Sequence, residues 1–279
     1  MGMRIGTNIT ALNAQRSLAI TKNSLDRTME KLSSGSKINK ASDDAAGLAV
    51  SENLKANMRG LKMANRNTQD GISLLQMAEG SLSEVGNMLV RMRELSIQSA
   101  SDTISDRERK LTGGEYTQLM NEIDRIAEST EFNGTKLLNG EGESFDFQVN
   151  TKNSNLTDRI SFEPSEADAS TVALGVRFSD IFSKAGAQES LNVIDRAISQ
   201  VSGLRASFGS IQSRLNSTVE NINSSLENTA AANSRIRDSD IAEESSELAK
   251  KNIMLQAGTS VLAQANQQPG MALSLLNKD

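Results

Sequence analysis

The chain has no cysteine, histidine or tryptophan, one tyrosine, and two prolines in 279 residues. Without cysteine the fold uses no disulfide. Without Cys or His, the commonest soft-metal ligands and the side chain that titrates near neutrality are missing, which excludes a His-Glu-x-x-His zinc centre. Aromatics make up 3% of the chain, too little bulk for a round core. Leu, Ile, Val, Met and Ala at helical spacing suit thin, elongated packing instead. No run of about 18 apolar residues exists, so no membrane-spanning helix is expected. A net charge of −5 argues against a nucleic-acid partner. Charges of both signs are mixed along the chain and read as solvated helix faces. The first ten residues lack a basic-then-apolar leader and a cleavage site. That reads as cytoplasmic, or as export by a route that leaves the chain uncut.

The sequence does have a long heptad pattern. Leu54, Leu61, Thr68, Leu75, Leu82 and Leu89 fall seven residues apart, and Met58, Ile72, Val85, Met92 and Leu95 fill much of the offset row. This spacing predicts a helix from about Asp44 to Gln98 with one apolar seam. At 1.5 Å per residue it is roughly 80 Å long and needs partners along its length. Gly47, Gly60, Gly71, Gly80 and Gly86 interrupt it, each at a cost of about 1 kcal/mol against alanine. They are either tolerated or mark close backbone approach.

Before this helix, Ile5 to Leu32 reads as a weaker amphipathic helix. Ile5, Ile9 and Leu12 start one stripe, and Leu18, Leu25 and Leu32 continue on a shifted one. Gly35 suits a left-handed cap, Ser33 to Asn39 a turn-rich connector, and Ser42, Asp43 or Asp44 an N-cap. After the long helix, Ser105 and Glu108 form a capping-box pattern that opens a helix to about Ser129. Its stripe is Leu111, Met120, Ile123 and Ile126, interrupted by Gly113-Gly114. Residues 130–186 read as a β-rich insert. Asn133-Gly134 and Asn139-Gly140 are turn dipeptides. Phe145–Val149 alternates with period two, and Arg159–Phe162 is a second strand, read as its hairpin partner. Pro164 to Thr171 reads as exposed loop. From about Gln188, apolar residues from Leu191 to Leu226 step by three and four, which predicts a second long helix as partner for the first. Asp238 and Asp240 mark a joint. Beyond it Leu248, Leu255 and Leu262 share a stripe, and the tail from Met271 to Leu276 is apolar for a chain end. The expected fold is mainly α: an elongated antiparallel helical rod built from both chain ends, with a small β-hairpin insert.

Several stretches together resemble bacterial flagellins. They are Ile5-Gly6-Thr7-Asn8, Lys31-Leu32-Ser33-Ser34-Gly35, Asp43-Asp44-Ala45-Ala46-Gly47, Arg91-Met92-Arg93-Glu94-Leu95, Glu122-Ile123-Asp124-Arg125-Ile126, Phe132-Asn133-Gly134, Ser234-Arg235-Ile236 and Leu262-Ala263-Gln264-Ala265-Asn266-Gln267. Their order and spacing carry the resemblance, and no large outer variable domain is present. The resemblance implies a terminal helical domain, residues 1–43 with 238–279, lining the filament's inner core. It also implies a rod domain, residues 44–237. Assembly of the terminal helices would fall to Ile5, Leu12, Leu255, Leu262, Leu273 and Leu276. Ser34, Gly35, Asn39, Asp43 and Asp44 would form the connector. Arg91, Leu95 and Glu115 would make a subunit interface that an innate immune flagellin receptor also contacts.

Further implied partners are other copies of the chain in a non-closing helical homopolymer, an export chaperone, the export apparatus, and hook-junction and cap proteins. The implied location is the extracellular filament. No cofactor is expected. Asp43-Asp44 reads better as helix capping than as a metal or acid catalyst, and the seam methionines read as core filler. Two other functions stand beside a filament subunit. One is a hook–filament junction protein of the same superfamily, which has a different central rod. The other is a non-polymerising coiled-coil adaptor, which would leave the apolar tail unexplained.

Overall fold

The computed structural model describes residues 7–142 and 144–276, with the side chains of 269 and 271–276 outside the description. The helices are α1 (Ile9–Ser34), α2 (Ala45–Ser99), α3 (Asp106–Ser129), α4 (Lys184–Arg237) and α5 (Ile241–Leu276). Between α3 and α4 lie β1 (Glu131–Phe132), β2 (Thr135–Lys136), β3 (Phe145–Gln148), β4 (Arg159–Phe162) and a single 3-10 turn, Pro164–Glu166. Packing divides the chain into two units, Asn57–Glu227 and Met1–Ala56 with Asn228–Asp279. The divisions fall inside α2 and α4.

In the central unit α2 and α4 run antiparallel. Asn65 hydrogen-bonds Asn223, Arg205 pairs with Glu79 and Arg93 with Asp195, so positions rise on one helix as they fall on the other. Leu61, Thr68, Leu75, Leu82 and Leu89 are buried on α2, and Ile194, Val201, Phe208, Leu215 and Ile222 on α4. Both sets repeat every seven residues, the period of a left-handed two-helix seam. Each fully buried Leu, Ile or Phe in it contributes roughly 1.5–3 kcal/mol. The one polar seam position, Thr68, donates its hydroxyl to the Ala64 carbonyl at 2.7 Å, so no polar group is stranded there.

The capping box at the start of α3 is present. Glu108 N–H reaches the Ser105 hydroxyl, and Ser105 N–H reaches the Glu108 carboxylate at 2.8 Å. Tyr116, Ile123 and Ala127 complete the core from α3. Leu111, expected in that stripe, is 73% exposed, and Arg109 points inward instead. Gly113-Gly114 do not interrupt the helix. A Cβ on Gly113 would meet the Phe182 ring, so the glycine admits the chain leading into α4.

The insert forms two hairpins. Asn133 and Gly134 both have positive φ, as the two-residue turn between β1 and β2 requires. β3 and β4 pair antiparallel, with Phe145 opposite Phe162 and Phe147 opposite Ile160. Phe162 packs edge-on against Phe208 with ring centroids 5.2 Å apart, tying the hairpin to α4. The stretch expected as exposed loop is half inside: Pro164, Ala167, Ala169 and Thr171 are buried while Ser165 and Glu166 face out. Ala169 N–H bonds the Leu138 carbonyl, and Asp124 on α3 accepts both the Thr171 N–H and its hydroxyl. Those non-local bonds hold a polar-looking segment against the core.

The α2 glycines divide by environment. A Cβ on Gly71 would lie 2.9 Å from the Phe147 ring, and one on Gly60 would lie 2.7 Å from Thr151, whereas nothing lies within 4 Å of one on Gly80. Gly80→Ala is therefore expected to stabilise the chain by about 0.5–1 kcal/mol through helix propensity. Gly71→Val overpacks and should cost about 1–3 kcal/mol. Urea midpoints of the two variants check the opposite signs.

In the terminal unit α1 and α5 pack antiparallel. Asn8 Nδ2 donates to the Ala265 carbonyl at 2.7 Å, Leu18 lies against Gly258, Lys251 Nζ donates to Thr28 Oγ1 at 2.7 Å, and Lys31 pairs with Glu244 at 3.2 Å. α1 begins at Ile9, where the Asn8 side-chain amide oxygen accepts the Ala11 N–H. Ile5 lies outside the described residues. The inward stripe of α1 is Ala11, Leu18, Leu25, Thr28 and Leu32, so Ile9 and Leu12, expected to begin the stripe, face out. α5 continues through Pro269 to Leu276.

Candidate assembly surface

The seam between α1 and α5 is lean, with Ala, Thr and Gly at several positions. Leu255 and Leu262 are half-buried in it and hold α5 against α1. Large apolar side chains lie outside it. Leu12 is 63% and Ile253 67% exposed, and Ile9, Ile20, Met29, Ile241, Met254 and Val261 are exposed too. Ile9, Leu12 and Ile20 are spaced by three and eight, which places them on one face of α1 away from the seam. α5 is apolar on more than one side. Helices with two apolar faces need a second layer of partners. Leu273 and Leu276 fall in the last turns of α5, where side chains are outside the description.

The connector is built by short polar bonds. Gly35 ends α1 with φ 67°, the left-handed cap expected there. Ser34 Oγ donates to the Lys31 carbonyl and accepts the Ser36 N–H. Asn39 Nδ2 donates to the Ser36 carbonyl. Of the three capping candidates, Asp44 serves α2, accepting the Gly47 N–H at 2.9 Å. Asp43 turns back instead and accepts the N–H groups of Lys40 and Asn39 at 3.0 and 3.3 Å. Those bonds, Lys40 first, hold the Asp43 carboxyl below the ordinary aspartate range. Its contribution is complete above that range and is lost only as pH falls through the lowered value.

The two connectors are joined to each other by backbone. Lys37 N–H donates to the Arg237 carbonyl at 2.6 Å and Ser239 N–H to the Gly35 carbonyl at 3.0 Å, with Ser36 bridged to Asp238. Arg237 also pairs with Glu52 at 2.6 Å, and Asp240 caps α5 through the Ala242 N–H. The joint read at Asp238 and Asp240 is thus a two-chain clasp, a pairing across the ends of the sequence that local spacing does not reveal.

On the central unit Arg91 binds Glu115 and Glu94, each at 2.9 Å. Its guanidinium is held above the ordinary arginine range, first by Glu94 and then by Glu115. Leu95 is a correction: it is buried in the core with Leu89 and Met92, because it falls on the inward rows of the α2 heptad. Only Arg91 and Glu115 of that trio meet at the surface. Arg109, a charged residue that hydropathy does not place in the core, locks the α2–α3 turn. It donates to the Ser99 and Ser101 carbonyls and pairs with Asp106 at 2.6 Å.

The central unit also has an open cleft of about 480 Å³ beside β3 and β4, lined in part by Leu61, Val149, Ile160, Arg214 and Ile222. No carboxylate lines it, so it offers no paired acid and base. Among the described residues no group of three or more His, Cys, Asp or Glu is placed to hold a metal, and no helix is long and apolar enough to cross a membrane.

Family comparisons agree with this geometry. A family model described as the bacterial flagellin N-terminal helical region matches residues 5–143, and one for the C-terminal helical region matches residues 191–276. The chain is 43% identical over 274 residues to a flagellin of Halalkalibacterium halodurans, covering 98% of this chain and 100% of that one. It is 44% identical over 306 residues to a flagellin of Bacillus subtilis, with the same coverage. The crystal structure of Bacillus cereus flagellin is similar with a TM-score of 0.51 and 32% identity, covering 60% of this chain and 94% of that one.

Proposed function

The chain belongs to the bacterial flagellin family and is a structural subunit of the extracellular flagellar filament, and on that premise we propose which of its surfaces build the polymer. The outward apolar faces of α1 and α5 meet neighbouring copies. Different patches meet in each contact, so the contacts do not close and a helical filament results. Leu12 acts on that face, Leu255 and Leu262 act through the seam, and Ile5, Leu273 and Leu276, whose side chains lie outside the description, take part in the same assembly. Residues 1–43 with 238–279 line the filament core, residues 44–237 form the surrounding layer, and the connector from Ser34 to Asp44 joins them in sequence. The terminal pair gains full order when neighbours cover it, so ordering entropy is offset by burial at that moment.

The observation that carries this reading is the second apolar face on helices whose first face is already used. Ile253→Glu tests it. Ile253 is exposed in the single chain, so the variant should fold and melt as the wild type does. A carboxylate buried between copies should abolish seeded polymerisation, read as protein remaining in the supernatant after sedimentation. Pelleted filaments of normal length would refute the assignment.

Arg91 and Glu115 form a second surface, facing the next copy in the filament and, in free subunits, an innate immune flagellin receptor. Its support is the paired, exposed guanidinium and carboxylate on adjacent helices. Arg91→Ala removes both ion pairs, which lie at the surface with the Arg91 side chain 49% exposed. It should leave the melting curve nearly unchanged and lower receptor-reporter output from cells given monomer. Equal output from variant and wild type would remove the receptor role. An export chaperone, the export apparatus and the hook-junction and cap proteins are proposed as further partners on family membership, with export that leaves the chain uncut. No catalytic role is proposed.

A further inference from the structure

Two-electron oxidants find one class of target on this protein. Cysteine, tryptophan and histidine are absent, and the single tyrosine, Tyr116, is buried with its hydroxyl 2.5 Å from Ser179 Oγ. That leaves the methionine thioethers. Among the described residues Met92 is in the core, and Met58, Met88 and Met120 are half-buried. Four of the described methionines are open to solvent: Met63 and Met77 on α2 of the central unit, and Met29 and Met254 at 53% and 49% exposure on α1 and α5. Met254 follows Ile253 in α5 at the exposed flank of the seam, and Met29 lies about five turns beyond Ala11 at the exposed flank of the α1 seam, near the connector. Both are among the exposed apolar side chains left uncovered in the single chain, at the margin of the surfaces assigned above to contacts between copies.

We propose that Met29 and Met254 are reversible oxidation sites that decide whether a free subunit can join the filament; this rests on the assembly reading above. The oxidant is a peroxide. A thioether sulfur lone pair attacks one peroxide oxygen, the O–O bond breaks, and the sulfur keeps that oxygen as a sulfoxide, losing two electrons. The departing hydroxide takes the proton from the oxygen now bound to sulfur, so the products are the sulfoxide and one water. The flexible apolar tip becomes a strong acceptor on a branched, polar sulfur. On a monomer that oxygen is solvated. Between copies it must be buried on an apolar surface, and an unsatisfied acceptor there raises the concentration needed for assembly by about tenfold or more. The reaction is gated by assembly, because copies that cover these side chains also shield them from the oxidant.

The test uses the full chain, treated as monomer with hydrogen peroxide, freed of it, and offered to filament seeds. Mass spectrometry reads each methionine. Oxidised wild type should extend seeds only at about tenfold higher concentration, and reductases for both sulfoxide epimers should restore extension as oxygen leaves Met29 and Met254. The Met29→Leu/Met254→Leu chain should extend seeds at the same concentration before and after the same treatment, whatever that concentration is. The Met63→Leu/Met77→Leu chain should be inhibited like wild type. The proposal is overturned if oxidised wild type extends at the untreated concentration. It is equally overturned if reducing Met29 and Met254 leaves extension blocked, or if the Met29→Leu/Met254→Leu chain is inhibited as strongly as wild type. Untreated wild type failing to extend seeds would instead count against the assembly reading itself.

Discussion

A chain lacking residues 263–279 is expected to stay folded and soluble and to form no filaments. The truncation removes Ala265, which is buried against α1 and supplies the carbonyl that Asn8 binds. It also removes the last turns of α5. The first turns of α1 lose their partner, and they cannot compensate locally. Their inward positions include Ala11 and Ala14, which bury little, and an unsupported helix of fewer than about 12 residues is marginal in water. The central unit loses nothing, since its seam of Leu, Ile, Val and Phe lies wholly within Asn57–Glu227.

The two outcomes should therefore separate. The urea midpoint of the main transition stays at its wild-type value, while helical circular dichroism falls by the share of the lost turns. Assembly is far more sensitive than folding here, because every copy repeats the defect at each contact. A deficit of about 3 kcal/mol per added copy raises the critical concentration more than a hundredfold. Sedimentation after seeding reads this directly, and normal pelleted filaments from the truncated chain would refute the role given to the C-terminal turns.

The sequence disclosed the long helices because their apolar rows repeat over many turns, and it disclosed the β3–β4 hairpin through alternating Phe residues. At β1–β2 the Asn133-Gly134 dipeptide showed the turn, but strands of two residues are too short to show a period. The pairing of α2 with α4 followed from matching lengths and periods. What it could not disclose was which stripe faces inward on a helix that is apolar on two sides. On α1, Ile9 and Leu12 looked like the better core and are exposed, while Ala11 and Thr28 are buried. A subunit that must offer apolar surface to its neighbours necessarily blurs that signal. Leu95 shows the converse. It shares a helix turn with Arg91, but the heptad turns its side chain into the core. The 164–171 stretch is held inside by Asp124 and the Leu138 carbonyl, contacts from outside the segment that its Ser, Glu and Asp content does not reveal.

The start of α3 gives the sharpest contrast between hydropathy and structure, and a second large effect follows from it. By hydropathy Leu111 belongs inside and Arg109 outside. The structure reverses them, with Leu111 at 73% exposure and Arg109 at 8%. Arg109 earns its burial by geometry: the planar guanidinium reaches the Ser99 and Ser101 carbonyls, at the open end of α2 and in the turn that follows, and pairs with Asp106. Carbonyls at a helix C-terminus have no intrahelical donor, and one cation here serves two from adjoining positions. Arg109→Ala should destabilise the central unit by about 3 kcal/mol, since it strands those acceptors and leaves a void. Lysine at the same position has three donors on a single nitrogen and cannot present the fork, so Arg109→Lys should recover only part of the loss. Leu111→Ala should change stability by no more than about 0.5 kcal/mol. Urea unfolding of the three variants orders them, and a Leu111→Ala loss equal to that of Arg109→Ala would mean that hydropathy, not the turn geometry, governs this end of α3.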